Sequence, residues 1–133
     1  MRILTTFLLT LILLTSCSET NTADPIDSFK YWARTNPPDD LKVIEGKYWQ
    51  SGHWTREYIL FLKINPTDKW WNEFINQNQL QADNTKWIRP SDSPDWFEIT
   101  DDMEIFGHGD NFNDSRYFRN KRTGECYIYE IQL

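Results

Sequence analysis

Apolar and polar residues alternate most clearly between Trp54 and Ile64, in the run Trp-Thr-Arg-Glu-Tyr-Ile-Leu-Phe-Leu-Lys-Ile. In an extended strand, successive side chains point to opposite faces, and the apolar middle of this run supplies both faces. The pattern therefore predicts a central strand that is buried on both sides. A partner strand is predicted over residues 43–49, with residues 50–53 as the turn between the two.

Helical spacing follows directly after this strand. Apolar residues at i, i+1, i+4 and i+5 form one stripe, made of Trp70, Trp71, Phe74 and Ile75. Asn65 followed by Pro66 is a helix-start signature, so the principal helix is predicted over residues 66–78. A shorter helix is predicted over 25–34, with Asp24 as its N-cap.

The second half of the chain carries weaker signals. Residues 86–89 indicate a short strand, 96–99 a strand or a single helical turn, and 103–106 another strand. Two strand-like runs then flank residues 120–124 and predict a hairpin, with Gly124 available for a positive φ. The predicted fold class is α+β: an antiparallel sheet of four or five strands with one principal helix packed on one face.

The N-terminus has the features of an exported protein. After Met1-Arg2, an apolar stretch covers residues 3–14. Those 12 residues, at about 1.5 Å each, are too short to cross a bilayer core of about 30 Å, but they suit a signal peptide. Leu14-Thr15-Ser16-Cys17 follows and resembles the lipobox of bacterial lipoproteins. The alternative is an ordinary secretory signal in which the cysteine is incidental.

The resemblance covers residues 1–17 only, and it has consequences for the mature chain. It implies that residues 1–16 are a signal peptide that is removed and that Cys17 carries the lipid attachment. Residues 17–24 then form a lipidated tether, and residues 25–133 form a single globular α+β domain. The protein would be held in the cell envelope by its lipid, and Ser18 after the cysteine favours the outer membrane in a Gram-negative cell.

Charge excludes one class of function. The chain carries a formal net charge of −6, which becomes −7 when removal of residues 1–16 takes away Arg2. Nucleic-acid binding needs a basic surface, so we expect no nucleic-acid partner.

Within this acidic chain the charges are segregated. Residues 92–114 contain eight acids and no Lys or Arg. The short stretch that follows contains four bases and no acid: Arg116, Arg119, Lys121 and Arg122. These bases are candidates for binding a partner. The alternative is that the two segments neutralise each other within the fold.

Aromatic residues give a second set of candidates. The chain has seven Trp and six Tyr, more large rings than a core of this size can bury, so some are expected at the surface. Trp87, Trp96 and Phe97 lie on the less regular segments and are the candidates for contact with a sugar or a protein. The alternative is that all three belong to a core rich in rings.

No catalytic or metal-binding pattern is present, and we expect no cofactor. The only histidines, His53 and His108, lie in separate glycine-containing loops without zinc-ligand spacing. Residues 110–114 have a faint likeness to a calcium loop, but Phe112 occupies a position that needs an oxygen ligand. Cys126 is expected to be buried and inert.

These features favour a non-catalytic, lipid-anchored envelope protein whose domain binds a protein partner. An immunity-type inhibitor of a toxin is one concrete form, because an acidic protein of this size can cover a basic active site. Two alternatives remain open. One is a glycan-binding module that uses exposed aromatic rings, and the other is a small hydrolase built on His53 or His108.

Overall fold

A computed structural model of the chain describes residues 18–109 and 114–133. Within these ranges the protein is a seven-stranded antiparallel sheet with two helices. The helices are α1, Pro25–Ala33, and α2, Asp68–Gln77. The strands are β1 Thr20–Thr22, β2 Leu41–Gln50, β3 Tyr58–Pro66, β4 Gln81–Ala82, β5 Glu104–Gly107, β6 Arg116–Arg119 and β7 Cys126–Gln132. Their order across the sheet is β1-β2-β3-β7-β6-β5-β4.

The predicted fold class is wrong in its proportions. The expectation was four or five strands with one principal helix, but the fold is dominated by its sheet and is only 17% helical. The additional strands are the two edge strands, β1 with three residues and β4 with two. Strands of this length are too short to show a period of two, so the residue pattern gave no sign of them.

Strand β3 lies at the centre of the longest pairings, between β2 and β7, as the alternation predicted. Leu60, Phe61 and Leu62 are all buried, so both faces of the strand are covered. The strand begins at Tyr58, however, and the predicted extension back to Trp54 is wrong. Trp54 lies in the loop that joins β2 to β3, and its side chain is fully exposed.

Both helices have the caps that their sequences need. The Asp24 carboxylate accepts a hydrogen bond from the Asp27 backbone N–H at 2.8 Å, which confirms the predicted start of α1. Helix α2 begins later than predicted. Pro66 is the last residue of β3, and the hydroxyl of Thr67 caps the helix by accepting from the backbone N–H of Trp70.

Each face of the sheet is covered differently. One face, the helix face, packs against both helices through Phe29, Trp71 and the even-numbered residues of β3. The opposite face, the loop face, is covered by residues 83–103 through Phe97 and Met103. This segment contains no strand, so the strand predicted over 86–89 is wrong and residues 96–99 belong to an irregular loop.

Strand pairing also defines two ends of the sheet. At the tether end, Thr20 pairs with Gln50, and Tyr58 pairs with Gln132. At the far end, Leu41 pairs with Pro66. The predicted hairpin between β6 and β7 is confirmed at this far end, with Gly124 at φ 76° in its turn.

Candidate functional site

A groove opens on the loop face where β1, β2 and β3 run side by side. It has a volume of about 300 Å³ and is lined by Asn21, Lys47, Trp49, Ile59, Phe61 and Asp92. We call it the sheet groove. Directly paired residues in an antiparallel sheet share a face. Asn21 pairs with Trp49, Trp49 with Ile59, and Lys47 with Phe61, so the register itself brings these side chains together.

Charged groups frame the apolar floor of this groove. The Lys47 ammonium donates to the backbone carbonyl of Asp92 at 2.7 Å and lies 5.8 Å from the centre of the Phe61 ring. It therefore ties the covering loop to the sheet. On the other side, the Trp49 indole N–H donates to the Glu19 carboxylate at 2.6 Å. The result is an apolar recess with Lys47 and Asp92 at its rim.

Two larger clefts lie on the same face around Trp87. One is about 470 Å³ and reaches Asp114 and Arg116, and the other is about 710 Å³ and reaches Glu98 and Asp101. Lys86, Trp87 and Arg89 line both clefts. The half-buried Trp87 ring meets Phe118 edge-to-face at 5.1 Å between ring centres, so the core fixes its position.

Of the three aromatic candidates, Trp87 lines the two larger clefts described above. Phe97 is completely buried and meets Phe61 edge-to-face at 5.2 Å between ring centres, so it does not meet the expectation of an exposed ring. Trp96 is half-buried and packs against Phe97. Their rings hold the covering loop on the sheet, which agrees with the alternative that they belong to the core.

Most of the basic candidates are engaged within the fold. Arg116 forms an ion pair with Asp83 at 3.0 Å, Lys121 pairs with Glu104 at 3.1 Å, and Arg119 pairs with Asp68. Hydrogen bonding from Thr85, with the Arg116 charge as a smaller contribution, holds the pKa of Asp83 below its ordinary value.

These contacts leave little of a basic patch for a partner. Arg122 is exposed in the hairpin turn, where its backbone N–H donates to the Asn120 side chain at 3.0 Å. Glu104 belongs to the acidic stretch 92–114, whereas Asp68 and Asp83 lie outside it. The neutralisation that the sequence left open as an alternative therefore takes place, but with acids from several parts of the chain.

A polar cluster lies on the helix face around Glu130. Its carboxylate accepts hydrogen bonds from the hydroxyl of Tyr117 at 3.0 Å, the indole N–H of Trp32 at 3.1 Å and the hydroxyl of Tyr58. Burial, and then the charge of Glu130, raises the pKa of both tyrosines above the ordinary value. The tyrosines therefore stay protonated as donors, and the cluster ties α1 to three strands.

The two histidines of the hydrolase alternative lie apart. His53 is exposed in the loop between β2 and β3, whereas His108 Nε2 lies 3.3 Å from the Tyr117 hydroxyl. Neither histidine is among the residues that line the clefts described above.

The remaining thiol lies in the core. Cys126 is completely buried, as predicted, and burial raises the pKa of its thiol to about 12. In residues 18–109 and 114–133, no three His, Cys, Asp or Glu side chains form a group that could hold a metal ion. The calcium-like stretch falls mainly on 110–113, and the predicted lipid attachment at Cys17 also lies outside the described residues.

Comparison with known protein families, with curated proteins and with solved structures finds no match for this chain. Neither helix in the described part of the chain has the length and apolar character needed to cross a bilayer. A proposal about function therefore depends on the geometry of the clefts.

Residue patterns missed the sheet groove. The residue pattern places Lys47 and Trp49 in a partner strand and gives them no functional role. It places Ile59 and Phe61 on the second face of β3. Only the pairing order brings them together with Asn21 and Asp92. The residue that could have indicated a binding surface is Trp49, a large aromatic residue near the end of β2.

Proposed function

We propose that this protein is a lipid-anchored component of the cell envelope whose non-catalytic domain binds a protein partner in the sheet groove. The anchor rests on the lipobox-like run Leu14-Thr15-Ser16-Cys17, in which Cys17 takes the lipid. Several acyl chains on one residue, each contributing about 0.8 kcal/mol per buried CH₂, hold a protein on a membrane stably. The outer membrane is the expected location in a Gram-negative cell.

The anchor is tested by metabolic labelling with palmitate. The native chain is expected to incorporate label and to fractionate with membranes, whereas Cys17→Ala loses both properties. Cys126→Ala is the matched control, because its thiol is buried and its substitution leaves the lipobox intact. Equal labelling of the native chain and Cys17→Ala would refute the anchor.

The observation that carries the binding proposal is the composition of the sheet groove. Protein interfaces concentrate their binding energy in apolar pockets with aromatic residues, surrounded by a polar rim. Trp49, Ile59 and Phe61 supply the apolar walls, and Lys47 and Asp92 supply the rim. A partner protein that inserts one apolar side chain between these walls would make apolar contacts with the walls and polar contacts with the rim.

The charge of the molecule indicates what kind of protein fits. With a net charge of −6, the chain attracts a basic partner and repels an acidic one. An immunity-type inhibitor that covers the basic active site of a toxin is one concrete form of this function.

The partner is identified by site-specific crosslinking. A photoreactive phenylalanine analogue replaces Trp49 in the groove, or Glu73 on the exposed side of α2 as the control. An adduct with one protein is expected from position 49 and none from position 73. The same adducts from both positions would contradict a specific groove.

Binding by the purified partner then measures the contribution of the groove. Loss of a central aromatic contact typically costs about 2 kcal/mol or more, which is a roughly 30-fold weaker Kd. Trp49→Ala is therefore expected to weaken binding by at least this factor, while Glu73→Ala leaves the Kd unchanged. The affinity should also fall as salt concentration rises, because the partner is basic.

Glycan binding is the second candidate, supported by the position of Trp87 between two clefts lined by polar side chains. Thr85 and Glu98 lie near its ring in the larger cleft and can bond sugar hydroxyls. A glycan that binds the native protein is expected to lose binding with Trp87→Ala and to retain it with Trp96→Ala. Retained binding in both variants would exclude this site.

A further inference from the structure

Among the residues that the structure describes, the most exposed large apolar side chains are those of Trp54, Ile88 and Leu133, at 101%, 80% and 79% exposure. Single exposed apolar residues are ordinary on a protein surface. A fully exposed tryptophan is different, because its ring has the largest apolar area of any side chain. The positions of Trp54 and Leu133 relative to the anchor give these two residues a common explanation.

Strand pairing places Trp54 beside the exit of the tether. Thr20 pairs with Gln50, and the loop that carries Trp54 begins at the next residue, Ser51. Thr20 follows Cys17 by only three positions, a span of about 10 Å when fully extended. A lipid on Cys17 therefore brings the bilayer surface to the loop that carries Trp54.

Other exposed apolar residues lie at the same end. Tyr58 pairs with Gln132, the last residue of β7, so Leu133 follows that strand beside this loop. Tyr31 is 44% exposed, and its backbone carbonyl accepts a hydrogen bond from Arg56 of the loop at 2.9 Å. Ile88 lies elsewhere, at the cleft that reaches Arg116, which pairs with Tyr129 in the middle of β7. The tether end thus brings together three exposed apolar side chains: Trp54, Leu133 and Tyr31.

Charge does not distinguish the two ends of the sheet. The acids at the far end, such as Asp68 and Glu104, lie among the bases of the β6–β7 hairpin, and these two are ion-paired with Arg119 and Lys121. The orientation of the domain is therefore inferred from the position of the tether and from the exposed apolar residues beside it.

We propose that the tether end rests on the phospholipid bilayer and that Trp54 inserts its ring into the membrane interface. This inference rests on the lipid anchor of the proposed function. Tryptophan prefers the interfacial region, where its apolar ring is buried and its indole N–H remains hydrated. One lipidated residue holds the domain near the membrane without orienting it, and the Trp54 contact supplies the orientation.

The contact is tested with the full lipidated chain in vesicles of phosphatidylethanolamine and phosphatidylglycerol with brominated acyl chains, which quench nearby tryptophan. Partial quenching of the native emission is expected. Trp54→Phe removes the reporting indole, so most of the quenched emission should be lost. Trp70→Phe is the control, because Trp70 lies near the start of α2 at the far end, and its loss should leave the quenched emission unchanged.

Palmitate content, measured in the same samples, separates the two proposals. Palmitoylated protein with quenching that depends on Trp54 supports both. Palmitoylated protein whose quenching is the same with and without Trp54 overturns the membrane contact, leaves the anchor in place, and leaves the exposed ring to a protein partner. Protein without palmitate refutes the anchor, and the membrane contact that rests on it fails with it.

Discussion

At the residue scale, two tryptophans occupy opposite environments within one chain. Trp71 is 1% exposed between α2 and the sheet, and Trp54 is 101% exposed. Burial of apolar area stabilises the folded state, and truncation of a buried tryptophan also leaves a cavity. The same substitution at the two sites therefore separates a ring that supports the fold from one that is available for contact.

Trp71→Ala is expected to lower the free energy of unfolding by about 3–5 kcal/mol, the usual cost of truncating a buried aromatic residue. Trp54→Ala should change it by less than about 0.5 kcal/mol, as for most surface substitutions. Urea denaturation followed by far-UV circular dichroism measures both. A loss of more than 1–2 kcal/mol in Trp54→Ala would show that its ring packs against the protein.

The thiol of Cys126 offers a second test at this scale. With its pKa raised to about 12 by burial, the thiolate fraction at pH 8 is roughly 10³-fold below that of an ordinary cysteine. Labelling by a thiol reagent is expected to be slow in the native protein and fast in guanidinium. Rapid native labelling would place the thiol at the surface.

Single residues differ in how well their environment follows from the sequence. The burial of Cys126 was predictable because free cysteine in an apolar strand is nearly always buried. The position of Phe97 was not, because its burial depends on Phe61, which is distant in the chain. Residue type carries the first kind of information, and only tertiary contacts carry the second.

At the scale of elements, long periodic segments were predicted well and their ends less so. The alternation in β3 spans nine residues, and the hairpin before β7 has a turn with a suitable glycine. The predicted start of α2 is two residues too early, because Asn65-Pro66 fits a helix start in isolation. In the fold, Asn65 pairs with Lys42 of β2, so strand pairing outweighs the local preference.

The two candidate caps of α2 can be told apart by substitution. Thr67→Ala removes the acceptor for the Trp70 N–H and is expected to destabilise the protein by about 1 kcal/mol. Thr67→Ser keeps the hydroxyl and should restore most of this loss. Asn65→Ala is expected to cost less than about 0.5 kcal/mol. If Asn65→Ala were the costlier change, the helix would begin as the sequence suggested.

Segment 83–103 shows where element prediction ends. Trp87, Trp96 and Phe97 are of residue types that are common in strands, yet this segment forms no strand of the sheet. Pro90 and Pro94 lack the N–H that a ladder needs, which favours an irregular path. The three rings pack against the loop face of the sheet. A segment that is apolar but not periodic can therefore be predicted to be buried, whereas its backbone conformation cannot be predicted.

At the scale of the whole molecule, strand order decides the function that can be proposed. The sheet groove combines residues 21, 47, 49, 59, 61 and 92, which no local pattern links. The same order places the tether exit beside Trp54. Sheet topology is a long-range property, so the site could not be assembled from the sequence, whereas the net charge and the resemblance of residues 14–17 to a lipobox depend on the sequence alone.

Stability at high pH is a property of the whole sheet, because buried tyrosines and the thiol lie on several strands. The pKa of Tyr129 and Cys126 is raised to about 12, mainly by burial, and the pKa of Tyr58 and Tyr117 is also raised. A raised folded-state pKa gives stability that is complete below the unfolded-state value and is lost as pH rises towards the folded-state value. For the tyrosines this window opens near pH 10.

The free energy of unfolding is therefore expected to fall between pH 10 and 12, by about 1.4 kcal/mol per pH unit for each such group. Urea unfolding at several pH values measures the slope, and absorbance at 295 nm reports tyrosine ionisation in parallel. Tyr129→Phe should reduce the slope of the free energy of unfolding against pH by the contribution of one group, because phenylalanine cannot ionise. Stability that stays constant over this range would contradict the burial of these groups. So would ionisation of Tyr129, measured as the difference in absorbance between the native chain and Tyr129→Phe, while the native circular dichroism persists. Ionisation of Tyr129 that coincides with unfolding is the expected result, because its proton leaves only when the loop face of the sheet is uncovered.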